Sequence, residues 1–206
     1  LPRGERVGEF SLRRVSRSPL GRQNKIMQYI IRKANLDDCP NIEKLIALSA
    51  RKLSSQDYTQ EQIEGALQGA FGVDTQLIKD GTYFVVEAKG TIIGCGGWSK
   101  RKTLFGGDKQ EIRDSSELNP ETDPARIRAF FVHPEWARKG IGRAILAQCE
   151  SEAIFFGFRS LELMATLPGV RLYAACGFIG SERVEYKLPS GITIEFLPMK
   201  KVLAAS

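Results

Sequence analysis

The residues best equipped for chemistry lie between Phe130 and Arg143, in the run FFVHPEWARKGIGR. An apolar strand ends at Val132, His133-Pro134 breaks it, and a helix is predicted to open at Gly140-Ile141-Gly142. Glycines at such a turn let the backbone come close to a ligand. The amides of the first helical turn have no partner within the helix, and the positive end of the helix dipole reinforces them. With Arg138, Lys139 and Arg143 beside it, the turn suits a phosphate or pyrophosphate. It fits neither common phosphate motif: the Lys-Ser/Thr of a Walker loop is missing, and Ile145 stands where a dinucleotide fingerprint needs Gly or Ala. From the turn alone two readings stay open, a polyphosphate ligand or a plain glycine turn flanked by solvated basic residues.

Other reactive side chains are sparse. His133 is the only histidine, and the four cysteines (Cys39, Cys95, Cys149, Cys176) are far apart with no CxxC pair. A zinc site or a Cys/His catalytic pair therefore has almost nothing to draw on, and no metal is expected. At this length and cysteine content a disulfide scaffold is not expected either, so reduced thiols and a cytoplasmic location follow. His133, just before a proline, reads as a loop residue, and Cys176, without a basic neighbour in sequence, as a buried inert thiol. Trp98 and Trp136 fit either a core or the wall of a binding groove.

Around that segment the chain reads as strands mixed with helices. A strand over Met27–Lys33 is followed by a helix from an Asp37 or Asp38 cap to about Leu53, with Ile42, Leu45, Ile46 and Ser49 at helical spacing. Thr59 and Gln62 form a capping-box signal for a second helix bearing Ile63, Ala66, Leu67 and Ala70. Strands at 82–88 and 91–99 flank Lys89-Gly90, and Gly94, Gly96 and Gly97 suggest a bulge or a close backbone approach. Residues 100–124 form a polar loop of mixed charge, long enough to be functional. A strand at 127–132, a helix at 140–156, a strand at 160–164, a short helix at 169–176 and a hairpin about Pro189-Ser190-Gly191 complete an α/β (α+β) arrangement.

The 206 residues are 42% apolar and 26% charged, enough for one domain with a full core, and no run reaches the roughly 18 apolar residues of a membrane helix. The net charge of +6 is unevenly spread. Residues 1–27 carry seven Lys/Arg and two Glu, whereas the remainder balances 23 basic against 22 acidic side chains. A near-neutral body is not built around a polyanion, so neither nucleic acid nor membrane is an expected partner. The leader, residues 1–26, is expected to lie outside the fold, as a non-native remnant ahead of Met27 or as an organelle-type transit segment. The folded unit is then 27–206.

The strand, the x-Val-x-Pro break, the glycine pair opening a helix and, about thirty residues on, Leu172-Tyr173-Ala174-Ala175-Cys176-Gly177-Phe178 together resemble the GCN5-related N-acetyltransferase (GNAT) superfamily. Its acetyl-CoA motif is (Gln/Arg)-x-x-Gly-x-(Gly/Ala), followed later by (Phe/Leu)-Tyr-x-x-x-Gly-Phe. The element order is similar as well, from residue 27 to about 200, and the likeness is most specific over 126–178. Two positions depart: Ala137 stands at the Gln/Arg place, with Arg138 one residue later, and Pro168-Gly169 stands where many relatives carry Asn-Ala.

The resemblance implies a mixed, mostly antiparallel sheet of six to seven strands flanked by about four helices. It implies an enzyme that moves acetyl from acetyl-CoA to a primary amine, on a small molecule or a protein, by direct attack in a ternary complex. Phe130, Phe131 and Val132 would face the pantetheine arm, Arg138, Lys139, Gly140, Ile141, Gly142 and Arg143 would hold the pyrophosphate, and Tyr173 would be the general acid. A phenol of pKa ~10 can protonate a departing thiolate whose conjugate acid is near ~8.5, and backbone amides near Val132 could receive the oxyanion. For the base, relatives point to Glu162; a plain surface charge at Glu162 and a water chain to bulk are equally open. The first two helices and the loop 100–124 would shape the acceptor pocket, and a homodimer is common in such folds. A non-catalytic acyl-CoA-binding module is the alternative.

Overall fold

A computed structural model describes residues 28–109 and 113–203. The basic leader expected at 1–26 lies outside the described residues. Eight strands form one sheet: β1 (Ile30–Lys33), β2 (Tyr83–Ala88), β3 (Thr91–Ser99), β4 (Ala125–Val132), β5 (Ser160–Thr166), β6 (Ile179–Gly180), β7 (Val184–Lys187) and β8 (Thr193–Val202). Their order is β1-β2-β3-β4-β5-β8-β6, with β7 also paired to β8. Among the described strands only β4 and β5 run parallel; the other pairs are antiparallel. The architecture is the expected α/β one, with more strands because the final hairpin is split and β8 is long.

Five helices cover the sheet: α1 (Cys39–Leu53), α2 (Gln60–Ala66), α3 (Thr75–Lys79), α4 (Ile141–Phe155) and α5 (Val170–Ala175). α1 buries the predicted stripe of Ile42, Leu45 and Ile46, and α2 and α3 add Ile63 and Leu77. These pack on one face, against Tyr83, Val85 and Cys95. On the other face α4 buries Ile141, Ile145, Leu146, Cys149 and Ala153 against Trp98, Leu161, Leu163 and Ala165. The Thr59/Gln62 capping box is present, but α2 ends at Ala66 and the chain turns through 67–70, short of the predicted extent. α3 has too few residues to show a period in sequence; Asp74 caps it, accepting from the Gln76 amide. No helix among the described residues is long and apolar enough to cross a membrane.

Two irregularities shape the centre of the sheet. β3 needs its glycines for close approach: a Cβ on Gly94 would meet Ile141 Cγ2 at 2.6 Å, and one on Gly96 would meet the Phe130 ring at 2.6 Å. Opposite Gly96 the β3–β4 register slips, so β4 carries an extra residue, and Ala129 takes φ 56°. Past this bulge strand alternation sets Phe130 and Phe131 on opposite faces, Phe130 toward Tyr173 and Phe131 toward Phe71. Within 100–124 the chain doubles back on itself, with Lys102 and Thr103 amides donating to Ser116 and Asp114 carbonyls and an Arg101–Glu117 bridge. The bend of this ribbon locks to the segment after α2, through Gly107 N–H to Gly69 O at 3.2 Å and Asp108 N–H to Val73 O at 2.8 Å.

Candidate active site

β4 and β5 pair at only two positions, Ala125 with Leu161 and Arg126 with Glu162. Beyond Arg126 the strands diverge, leaving the backbone edge of Ile127–Val132 facing a V-shaped gap. Such an edge is ready to accept an extended ligand as a further strand. Two cavities meet at this gap. One, of about 720 Å³, runs from Ser49 and Leu53 on α1 past Val132 and Trp136 to the mouth of α4 and on to Pro168–Ala175. The other, of about 60 Å³, lies behind it against Ala70, Phe105, Arg128, Met164 and Phe196. Phe71, Phe130, Phe131, Thr166 and Tyr173 line both.

The mouth of α4 has the character read from its sequence. Gly140 is the N-cap with φ 86°, a left-handed conformation that favours glycine, and Arg138 before it has φ 63°. The helical ladder starts with Ala144 N–H to Gly140 O at 3.0 Å, so the amides of Ile141, Gly142 and Arg143 come before any intrahelical acceptor. Arg138, Gly140, Ile141, Gly142 and Arg143 line the larger cavity. Lys139 does not; its ammonium sits 5.6 Å over the Trp136 ring. Gly142 allows α5 to pack close, since a Cβ there would meet Leu172 Cδ2 at 2.8 Å. Of the two tryptophans, Trp98 is core, with its indole N–H donating to Glu152 at 3.0 Å, and Trp136 borders the cavity.

Tyr173 reaches the gap from α5, its ring set against Phe130 and Phe178 at 6.1 and 5.8 Å. Burial pushes its phenol above the ordinary value, so it is protonated at any working pH. Its hydroxyl makes no hydrogen bond among the described residues. Phe130, Phe131 and Val132 all line the larger cavity. The Val132 amide donates to Ser49 Oγ at 3.3 Å, so α1 supplies the acceptor that this strand edge lacks. Tyr58 fastens the far wall: its hydroxyl donates to Glu195 O at 2.6 Å and accepts from the Leu167 amide at 2.9 Å.

Glu162 is not among the residues lining either cavity. It sits at the last paired rung before the gap, bound to Arg126 and to Lys200 at 3.2 Å. Alternation along β5 puts Leu161 and Leu163 in the α4 layer and turns Glu162 to the opposite face. His133 caps the single turn that follows it, Nδ1 accepting from the Glu135 amide. Cys176 is half-buried rather than buried.

Sequence reading missed Arg128. It is 4% exposed, lines the smaller cavity, and sets Nη2 2.6 Å from Gly106 O and 2.7 Å from Asp74 Oδ2. A basic residue inside the apolar run IRAFFV was the available signal. Its partners come from two distant segments, and only the fold joins them.

A parallel pair that parts after two rungs, a bulged strand edge on one side of the gap and a glycine-opened helix at its mouth are the features of this site. The chain belongs to the family described as "Acetyltransferase (GNAT) family", whose model matches residues 27–178. It is similar to an aminoglycoside N(6')-acetyltransferase type 1 of Stenotrophomonas maltophilia, 35% identical over 63 residues. That match covers 29% of this chain and 41% of the relative, so the chain matches well under half of that protein. Among solved structures, a GCN5-related N-acetyltransferase of Rhodopseudomonas palustris, described as an aminotransferase of class II, has a TM-score of 0.64 at 17% identity, covering 87% of this chain and 99% of that one. The PaiA N-acetyltransferase of Thermoplasma acidophilum, solved in complex with coenzyme A, has a TM-score of 0.59 at 15% identity over 85% of this chain and 99% of its own. At such identities the likeness is one of fold.

Proposed function

We propose that this acetyltransferase moves the acetyl group of acetyl-CoA onto a primary amine by direct attack in a ternary complex. The observation that carries the reading is the meeting of two cavities at the β4–β5 gap, with Tyr173 bordering both. The larger cavity has the volume and the amide-rich mouth for a nucleotide thioester, and the coenzyme A bound to the PaiA N-acetyltransferase supports that substrate. In this reading the amides of Gly140, Ile141, Gly142 and Arg143 take the pyrophosphate, with Arg138 and Arg143 adding charge and Lys139 contributing at longer range. The pantetheine arm pairs with the open edge at Phe130, Phe131 and Val132, the acyl end reaching the gap beside Tyr173.

Chemistry there needs little apparatus. The amine nitrogen bonds to the thioester carbonyl carbon and a tetrahedral oxyanion forms. Its collapse breaks the C–S bond, Tyr173 gives its proton to the sulfur, and the nitrogen passes its surplus proton to water. Burial keeps the phenol in its proton-bearing form while making it a weaker acid than a free phenol. Glu162 lines neither cavity and carries two cations on its carboxylate, which favours the water route over a dedicated base. When a ligand edge takes the Val132 amide, Ser49 must release it, and the freed hydroxyl borders the same cavity. The four free cysteines support a reducing, cytoplasm-like compartment.

The test is an amine panel read out by coenzyme A thiol release, alongside calorimetry with acetyl-CoA. Turnover with at least one amine is expected. Tight acetyl-CoA binding without turnover on any amine would establish the non-catalytic acyl-CoA-binding module instead.

A further inference from the structure

The fold ties most of its arginines to carboxylates. Arg32, Arg51, Arg101, Arg113, Arg126, Arg128 and Arg183 each meet an Asp or Glu. Among the described residues Arg138, Arg143, Arg159 and Arg171 have no such partner, and three of these four line the larger cavity. Arg138 stands in the turn before α4, Arg143 in the first turn of α4 and Arg171 on α5. All three are exposed, so water hydrates them in the free chain. Their convergence from separate elements on one cavity is what an ordinary solvated face lacks. Asp57, between α1 and α2, is the only acid among the described residues lining that cavity. Its walls therefore focus a positive field.

Packing fixes Arg171 beside the mouth of α4. The next residue, Leu172, lies so close to Gly142, the second residue of α4, that a Cβ on the glycine would stand 2.8 Å from Leu172 Cδ2. Neighbouring Cα atoms are about 3.8 Å apart. The Arg171 backbone is thus one residue from this contact, and its side chain borders the cavity from the α5 side.

In the acetyl-transfer reading above, on which this inference rests, the diphosphate bridge of acetyl-CoA already has partners in the α4 amides, Arg138 and Arg143. The bridge carries a single charge on each phosphate, which those groups match. The ribose 3′-phosphate remains, a monoester of charge about −1.5 to −2 at pH 7. A planar guanidinium takes two oxygens of such a group through parallel N–H bonds. We infer that Arg171 reads this 3′-phosphate, so that the enzyme selects acetyl-CoA over 3′-dephospho-acetyl-CoA.

Calorimetry on the full chain at low ionic strength, with coenzyme A and 3′-dephospho-coenzyme A as the probes, tests the assignment. The parent should bind coenzyme A about tenfold or more tightly than the dephospho form, the range of a charge-assisted hydrogen bond. Arg171→Gln should bring that ratio to about threefold or less by weakening coenzyme A, with Kd for the dephospho form changed less than about twofold. Arg159→Gln removes an arginine that also lacks a carboxylate but lies outside the cavity, and it should leave the ratio as in the parent. With an amine that turns over, kcat/KM for the two acetylated forms should follow the same ratios through KM, at unchanged kcat. A parent ratio near or below one, a ratio that survives Arg171→Gln, or an equal fall in Arg159→Gln would overturn the inference and leave acetyl transfer standing. Should the parent bind neither form, the acetyl-transfer reading fails and the inference with it.

Discussion

Replacing Tyr173 by Phe deletes one hydroxyl from a ring held by Phe130 and Phe178, so its effect isolates the proton donation proposed for it. kcat for thiol release should fall by about 10²-fold, the lower end for a lost general acid, with KM for acetyl-CoA changed less than twofold. Because burial raises the phenol, the acid form is lost only above its ordinary value of about 10; the parent should show no alkaline fall in kcat from this group below pH 9 or so. Glu162→Gln tests the opposite assignment. Its carboxylate bridges Arg126 and Lys200 at the vertex of the gap, with 14% side-chain exposure. The substitution should cost about 1–3 kcal/mol of stability, read as a Tm lowered by several degrees. The pH dependence of kcat should keep its shape. A lost acid limb on kcat would return Glu162 to the role of base.

The joint between β1 and α1 shows how an element boundary is fastened. The sequence marks Asp37 or Asp38 as a helix cap; Asp38 does stand at the N-cap of α1, but its side chain makes no capping bond there and serves the preceding turn instead. Its carboxylate accepts both Arg32 Nη atoms at 2.8 Å and the Asn35 amide at 2.8 Å, while Asn35 Oδ1 accepts from the Asp38 amide in return. The Arg32 guanidinium, with help from the Asn35 amide, holds this carboxyl below the usual carboxylate range despite partial burial. A depressed folded pKa contributes stability that is present above the unfolded value of about 4 and is lost as pH falls through the lower folded value. Asp38→Asn should therefore lower stability by about 1–2 kcal/mol at pH 7 in urea titrations, and the gap from the parent should narrow below pH 4. Elsewhere, elements of local origin were legible: the Thr59/Gln62 box, the α1 stripe and the glycine-opened α4 all depend on residues three or four apart. α3 was not, because five residues cannot display a period, and neither was the extra residue at Ala129, whose positive φ is imposed by the β3 register.

Across the whole molecule the charge is concentrated at the start of the chain, with seven basic residues among 1–27 and a near balance of 23 to 22 beyond. Removing residues 1–26 should leave Tm within about two degrees and acetyl-CoA affinity unchanged, since the family match begins at 27 and β1 at Ile30. Any salt-sensitive affinity for DNA, measured by titration at 50 and 200 mM salt, should disappear with that deletion; persistence would make the body a nucleic-acid binder. By itself the sequence determined the pieces whose physics is local: a strand broken by His133-Pro134, a helix opened by Gly140, a tyrosine before Gly177-Phe178 and an apolar stripe on each long helix. The tertiary structure alone decided the gap between β4 and β5, the pairing of Glu162 with Arg126 and Lys200 at its vertex, and the union of Arg128 with Asp74 and Gly106 beside the smaller cavity. Those outcomes depend on strand register and on contacts between segments tens of residues apart, where a residue's type states what it can bind and only its neighbours in space state what it does bind.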